Sequence, residues 1–219
     1  MPAALLFDLD GTLVDSARDI AAALSIVSER RGGPAIAPAQ VRPLVSLGAQ
    51  TLVTRALGDQ ARAPVSDLSE FREVLADWPT DPASIYEGVE ATLSALADGG
   101  HAMAIVTNKP EHLARLLLER LGLARWFGAI VGGDTLAVSK PDRAPLHHAL
   151  ALLQCRGDAV MIGDSDVDAC AAQSASLPFI LFEGGYGADA CRHLPVAARY
   201  RHIGALPEIL EKRMAANSV

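Results

Sequence analysis

The chain has 219 residues, half of them hydrophobic, and a formal net charge of -7. That length suits one large α/β domain or a core with a smaller insert. The acidic balance excludes the broad positive field of a non-specific nucleic-acid binder, and no apolar stretch of about 18 residues is free of charge, so no membrane span is expected.

The first apolar run, Ala3 to Phe7, reads as a buried parallel strand and ends directly in Asp8 and Asp10. Residues two apart in an extended segment project to one side, so the two carboxylates repel unless a cation or a shared proton relieves them. Helical patterns follow. Ser16 with Asp19 reads as a helix start, with Ile20, Leu24 and Val27 on one face; a second stretch begins near Pro38 and breaks at Gly48; a third spans Asp67 to Trp78. The Pro-rich "PTDPAS" ends that region. Further buried strands are expected at Ala102 to Val106, Ala129 to Val131, Ala159 to Ile162 and Phe179 to Phe182, with helices starting at Val89, Pro110 and Pro141. Strands alternating with helices predict a doubly wound, Rossmann-like parallel sheet. Nearly 90 residues separate the first two strands, far more than a crossover needs. The excess predicts an all-helical cap over residues 15–82, inserted between core segments 1–14 and 83–219.

Three polar clusters sit at strand ends: Asp8-Leu9-Asp10, Thr107-Asn108-Lys109 and Gly163-Asp164-Ser165-Asp166-Val167-Asp168. In an open α/β sheet that edge forms the ligand crevice, and Lys140 can reach it from a loop. Taken singly, each polar residue has a structural explanation as a cap, a turn or a surface charge. Their conjunction at one edge has none. Three acids, Asp8, Asp10 and Asp164, with oxygen donors only, suit a hard cation that keeps some waters, and hence magnesium. A hydroxyl, turn N–H groups and one lysine beside that metal form an anion site, which implies a phosphoryl group.

These motifs, "FDLDGTLVDS", "VTNKP", "SKPDRAPL" and "GDSDVD", resemble in order and spacing the four motifs of the haloacid dehalogenase-like superfamily. "YEGVEATLSAL", "GGDTLAVSKPD" and "GGYG" further resemble its phosphoglycolate phosphatase branch, and the resemblance covers nearly the whole chain. It implies that Asp8 is a nucleophile forming an aspartyl phosphate and that Asp10 is the acid and base for the leaving alcohol and the attacking water. It also implies a metal held by Asp8, the Asp10 carbonyl and Asp164, with the phosphoryl oxygens bound by Thr107, the Asn108 backbone and Lys140. Asp168 would orient metal waters and Lys140. Gly48, at a break between cap helices, would let a loop dip toward the nucleophile, and Arg18, Arg42 and Arg55 are the cap cations considered for a substrate carboxylate. The expected activity is hydrolysis of a small phosphomonoester, 2-phosphoglycolate first. Another phosphorylated metabolite, a phosphomutase reaction, or a non-enzymatic phospho-accepting receiver are the alternatives. Three cysteines with no metal or disulfide spacing, and an N-terminus without a basic, signal-like region, predict a cytoplasmic protein, monomeric or homodimeric.

Overall fold

The computed structural model describes residues 3–155 and 157–216. Its centre is a six-stranded sheet built from β1 (Ala4–Phe7), β2 (Ala102–Val106), β3 (Ala129–Val131), β4 (Ala159–Gly163), β5 (Phe179–Phe182) and β6 (Ala198–Tyr200). All pairings are parallel, in the order β3-β2-β1-β4-β5-β6. Side chains alternate between two cores. Leu5 and Phe7 of β1 join one apolar cluster while Leu6 joins the other, and Met103 and Ile105 of β2 are split in the same way from Ala104 and Val106.

Between β1 and β2 stand α1 (Ala17–Glu29), α2 (Pro38–Val41), α3 (Ala49–Leu57) and α4 (Pro64–Asp77). They bury a hydrophobic cluster of their own, including Ile20, Leu24, Val27, Leu52, Val53 and Phe71. This is the inserted helical cap. The chain leaves and re-enters the core side by side: the Asp15 N–H donates to the Ser84 carbonyl at 2.7 Å, and the Tyr86 N–H to Leu13 at 3.1 Å. The remaining helices cover the sheet. α5 (Val89–Asp98), α6 (Glu111–Arg120) and α9 (Leu206–Ala216) pack on one face, α7 (Ala144–Leu152) and α8 (Asp166–Ser174) on the other.

Differences from the sequence reading have local causes. The second cap helix stops at Val41 and continues as a 3-10 turn over Arg42–Leu47, because Pro43 has no N–H to extend the α-helical ladder. α4 starts at Pro64, a residue pre-set for the first helical position, rather than at Asp67. α7 begins at Ala144 instead of Pro141, since the Asp142 carboxylate takes the Ala144 N–H at 2.7 Å and holds a turn ahead of the helix. The short, partly exposed β6 carries Arg199 between Ala198 and Tyr200 and lacks the apolar run that marks the other strands. Ser16 stands at the N-cap of α1, yet its side chain makes no cap bond and its hydroxyl is buried without a partner.

Candidate active site

The sheet order reverses between β1 and β4, which lie side by side with Phe7 opposite Ile162. Such a switch point opens a crevice at the carboxyl ends of the strands. Asp8 follows β1 and Asp164 follows β4 into this opening, and both are buried. After Asp8 the chain turns back on itself, with the Leu9 carbonyl accepting from both Leu13 and Val14. Gly11 makes that turn possible. It has φ +88°, and a Cβ there would stand 2.6 Å from Asp164 Oδ2.

Three carboxylates, Asp8, Asp164 and Asp168, present oxygens within 4.8 Å of one another. Lys140 Nζ donates to Asp8 Oδ1 at 2.8 Å and to Asp168 Oδ1 at 2.6 Å. The second Asp168 oxygen accepts from the Ser165 hydroxyl and N–H, closing a capping box that starts α8. Asp164 accepts from Thr12 Oγ1 at 3.1 Å and from the backbone N–H groups of Tyr186 and Gly187 at 2.6 and 3.3 Å. Asp8 Oδ2 has no hydrogen-bond partner among the described residues. Three carboxylates against one ammonium leave a formal charge of -2 in a buried space. Burial pushes the Asp8 carboxyl up to about 8, with Asp168 and Asp164 adding to the rise and Lys140 opposing it. Burial and Asp168 push Asp164 up to about 7 against its three donors. Lys140 shifts upward because Asp168 and Asp8 together outweigh the burial that favours its neutral form.

Asp10 is placed differently from the three-carboxylate grouping of Asp8, Asp10 and Asp164 expected from spacing alone. Its side chain leaves the acid cluster and accepts twice from Lys109 Nζ, at 3.1 and 3.2 Å. The two therefore form a neutral pair beside the charged cluster. Thr107 is buried at the end of β2, its hydroxyl accepting the Lys109 N–H at 3.2 Å. The Asn108 side chain has a job invisible in the sequence: Nδ2 donates to the Lys140 carbonyl and Oδ1 accepts the Lys140 N–H, both at 3.0 Å. That reciprocal clamp fixes the loop from which Lys140 reaches its two carboxylates.

Eight of the residues named from sequence line one cavity of about 80 Å³ between core and cap: Asp8, Asp10, Gly48, Thr107, Asn108, Lys140, Asp164 and Asp168. Lys109 and Arg72 line it too. Lys109 follows Asn108 in "VTNKP", and a lysine after a turn has no sequence pattern that separates it from a surface charge. Gly48 caps α3 with φ +85° and ψ 148°, a conformation nearly restricted to glycine, but a Cβ there would meet nothing within 4 Å. A substituent at this position strains the backbone before it obstructs the cavity. The cap arginines named from sequence stand elsewhere: Arg42 pairs with Asp15 at 2.6 Å, Arg18 and Arg55 are exposed, and none of the three lines the cavity.

A Rossmann-like sheet with a helical cap over strand-end acids, a lysine and a threonine places the protein among the capped enzymes built on a Rossmann-like core. The model of the haloacid dehalogenase-like hydrolases matches residues 5–182. The chain belongs to that family. It is 37% identical over 218 residues to the phosphoglycolate phosphatase of Cereibacter sphaeroides strain ATCC 17029, covering 96% of this chain and 99% of that protein. It is 39% identical over 191 residues to the phosphoglycolate phosphatase of Xanthomonas campestris pv. campestris strain 8004, covering 84% and 85%. Its fold is similar to the crystal structure of a predicted phosphatase from Clostridium acetobutylicum, with a TM-score of 0.77, 26% identity and coverage of 96% and 99%.

Proposed function

We propose that this chain is a magnesium-dependent phosphomonoester hydrolase that works through an aspartyl phosphate on Asp8, in the cytoplasm, on 2-phosphoglycolate. The observation that carries the reading is the formal -2 of the Asp8, Asp164, Asp168 and Lys140 cluster, placed at the floor of a capped cavity beside Thr107. The donor set fits a hard divalent cation: it is all oxygen, contains no Cys or His, and lacks two positive charges. Asp8 and Asp164 would hold the ion with the Asp10 carbonyl, while Asp168, whose oxygens are already taken by Lys140 and Ser165, keeps the lysine in place. When bound, the ion offsets phosphate charge and lets an anionic ester approach an anionic nucleophile.

The chain's own residues supply the rest. Asp8 Oδ2, free of hydrogen bonds, attacks phosphorus; the new Asp8–phosphorus bond forms as the ester P–O bond breaks. Asp10 turns from Lys109 to the leaving oxygen, takes up a proton from solvent as it leaves the ion pair and passes that proton to the departing alkoxide, and the Lys109 ammonium left behind faces the bound anion. In the second half, Asp10 takes a proton from a water that attacks the same phosphorus, the Asp8–phosphorus bond breaks, and inorganic phosphate departs. Lys140 and the Thr107 hydroxyl stabilise charge on the transferring oxygens throughout. The cap excludes bulk water and leaves a cavity small beside the roughly 300–1,000 Å³ of drug-sized sites, which favours a small ester.

Phosphate release from 2-phosphoglycolate, ethyl phosphate, a hexose phosphate and a nucleoside monophosphate tests the reading. Highest kcat/KM for 2-phosphoglycolate, dependent on magnesium, is expected. A clear preference for the hexose phosphate or the nucleotide would overturn the substrate, and transfer of the phosphoryl group between sugar hydroxyls without release would overturn the hydrolase.

A further inference from the structure

The cap presents Arg72 to the cavity, and no described residue neutralises it. Arg72 lies on α4 and lines the cavity together with Ile20, Leu52, Phe71 and Leu75, an apolar wall. Its Nε is buried without a hydrogen-bond partner, and among the described residues no ion pair or side-chain hydrogen bond involves Arg72. The helix itself cannot supply one. The positions three and four residues away on either side are Leu68, Ser69, Leu75 and Ala76, so no carboxylate stands where a helical ion pair forms. The other guanidiniums near this part of the cap are committed. Arg31 pairs with Asp67 and Glu70, and Arg120 of the core donates to the Ala76 and Trp78 carbonyls at 2.9 Å each. That last contact ties the end of α4 to α6 and so holds Arg72 over the cavity.

A guanidinium beside apolar walls, with a buried donor unpaired, is costly unless a ligand supplies the missing acceptor. The core end of the same cavity already holds the phosphoryl-binding groups, Lys140 and Thr107. We propose that Arg72 is the receptor for the carboxylate of the substrate, so that the closed site selects small esters carrying an anion at each end, phosphate on the core and carboxylate on the cap. Arginine suits the role because its planar fork binds a carboxylate through two parallel hydrogen bonds, which a lysine cannot do. The inference rests on the phosphatase reading and names the residue that gives it specificity.

The test separates binding from turnover. Asp8→Asn, which cannot form the covalent intermediate, is titrated with 2-phosphoglycolate and with ethyl phosphate in magnesium by calorimetry, alone and combined with Arg72→Gln or Arg72→Lys. Arg72→Gln is expected to weaken 2-phosphoglycolate by roughly thirtyfold or more, the loss of charge-assisted hydrogen bonds, and ethyl phosphate by less than about threefold. Arg72→Lys keeps charge and stem and should fall between, losing roughly fivefold for 2-phosphoglycolate alone; it serves also where the glutamine variant does not fold. Equal loss for both ligands, or no loss for 2-phosphoglycolate, would overturn the assignment. Wild-type turnover distinguishes the two levels: Arg72-dependent binding without hydrolysis would overturn the reaction and keep the receptor, whereas hydrolysis with Arg72-independent binding would overturn the receptor alone.

Discussion

The core floor and the cap roof of the cavity handle charge in opposite ways. On the floor, four ionisable side chains, Asp8, Lys140, Asp164 and Asp168, are packed against one another on strand ends and a helix start, and their sum is left negative. Across the roof the surface is mostly apolar, its own buried ions are paired internally, and one cation, Arg72, faces the cavity. Rigid strand ends can hold like charges close because the sheet resists their separation. A helical insert anchored by two strands of chain can move as a unit, so its charges serve recognition better than chemistry. On the proposed reading, the floor carries the reaction and the roof selects what reaches it.

That division breaks most severely where the roof loses its internal ion pairs. Arg31, with its side chain 5% exposed, joins Asp67 and Glu70 and so ties the end of α1 to α4. Arg31→Ala leaves the Asp67 carboxylate buried and unpaired, and should destabilise the cap by about 3–5 kcal/mol, read by chemical denaturation. The same network sets an acid limit. Burial pushes Asp67 up, but the Arg62 N–H and Arg31 outweigh it and hold the carboxyl below its ordinary value, and the Arg31 hydrogen bond does the same for Glu70. Both groups are more acidic folded than unfolded, so their contribution is complete above their unfolded values, about 3.9 and 4.3, and is lost as pH falls through the lower native ones. Loss of cap stability on acidification below about pH 4 should be steeper in the wild type than in Arg31→Ala.

On the floor, Asp10→Asn should leave binding of 2-phosphoglycolate nearly intact and lower kcat by about a hundredfold, the usual worth of a general acid and base. Steady-state kinetics on esters of rising leaving-group basicity sharpens this, since the defect should grow along the series. Gly48→Val should cost about 1–3 kcal/mol of cap stability through its positive φ, with melting temperature falling more than kcat/KM. The smallest effect belongs to Asn108→Ala. It removes the clamp on the Lys140 loop without touching a charge, and should reduce kcat about tenfold with a lesser change in KM.

How much of this could be read in advance differs between floor and roof for a physical reason. Five strands were legible because buried parallel strands are short unbroken apolar runs, and the acids at their ends stand out against them. Asp8, Asp164, Lys140 and Asp168 converge through sheet order, which the alternation of strands and helices already implied. The Asn108 clamp and the Asp10–Lys109 pair were not legible, because both depend on which way a side chain turns once the backbone is in place. In the cap, helical periodicity marks the apolar face but cannot say which polar face meets the core. Arg72, Arg42 and Arg55 look alike in sequence, and only the packing of α4 over the cavity separates the first from the others.

Trapping the intermediate shows whether Asp8 accepts the phosphoryl group on a floor whose formal charge is -2. Wild-type protein is mixed with 2-phosphoglycolate and magnesium, quenched in acid within one turnover, and mapped by mass spectrometry. Phosphate on Asp8, absent when the metal has been chelated beforehand and absent in Asp8→Asn, is the predicted result. Phosphate on another residue, or undiminished product formation in the Asp8→Asn variant or after exhaustive chelation, would contradict it.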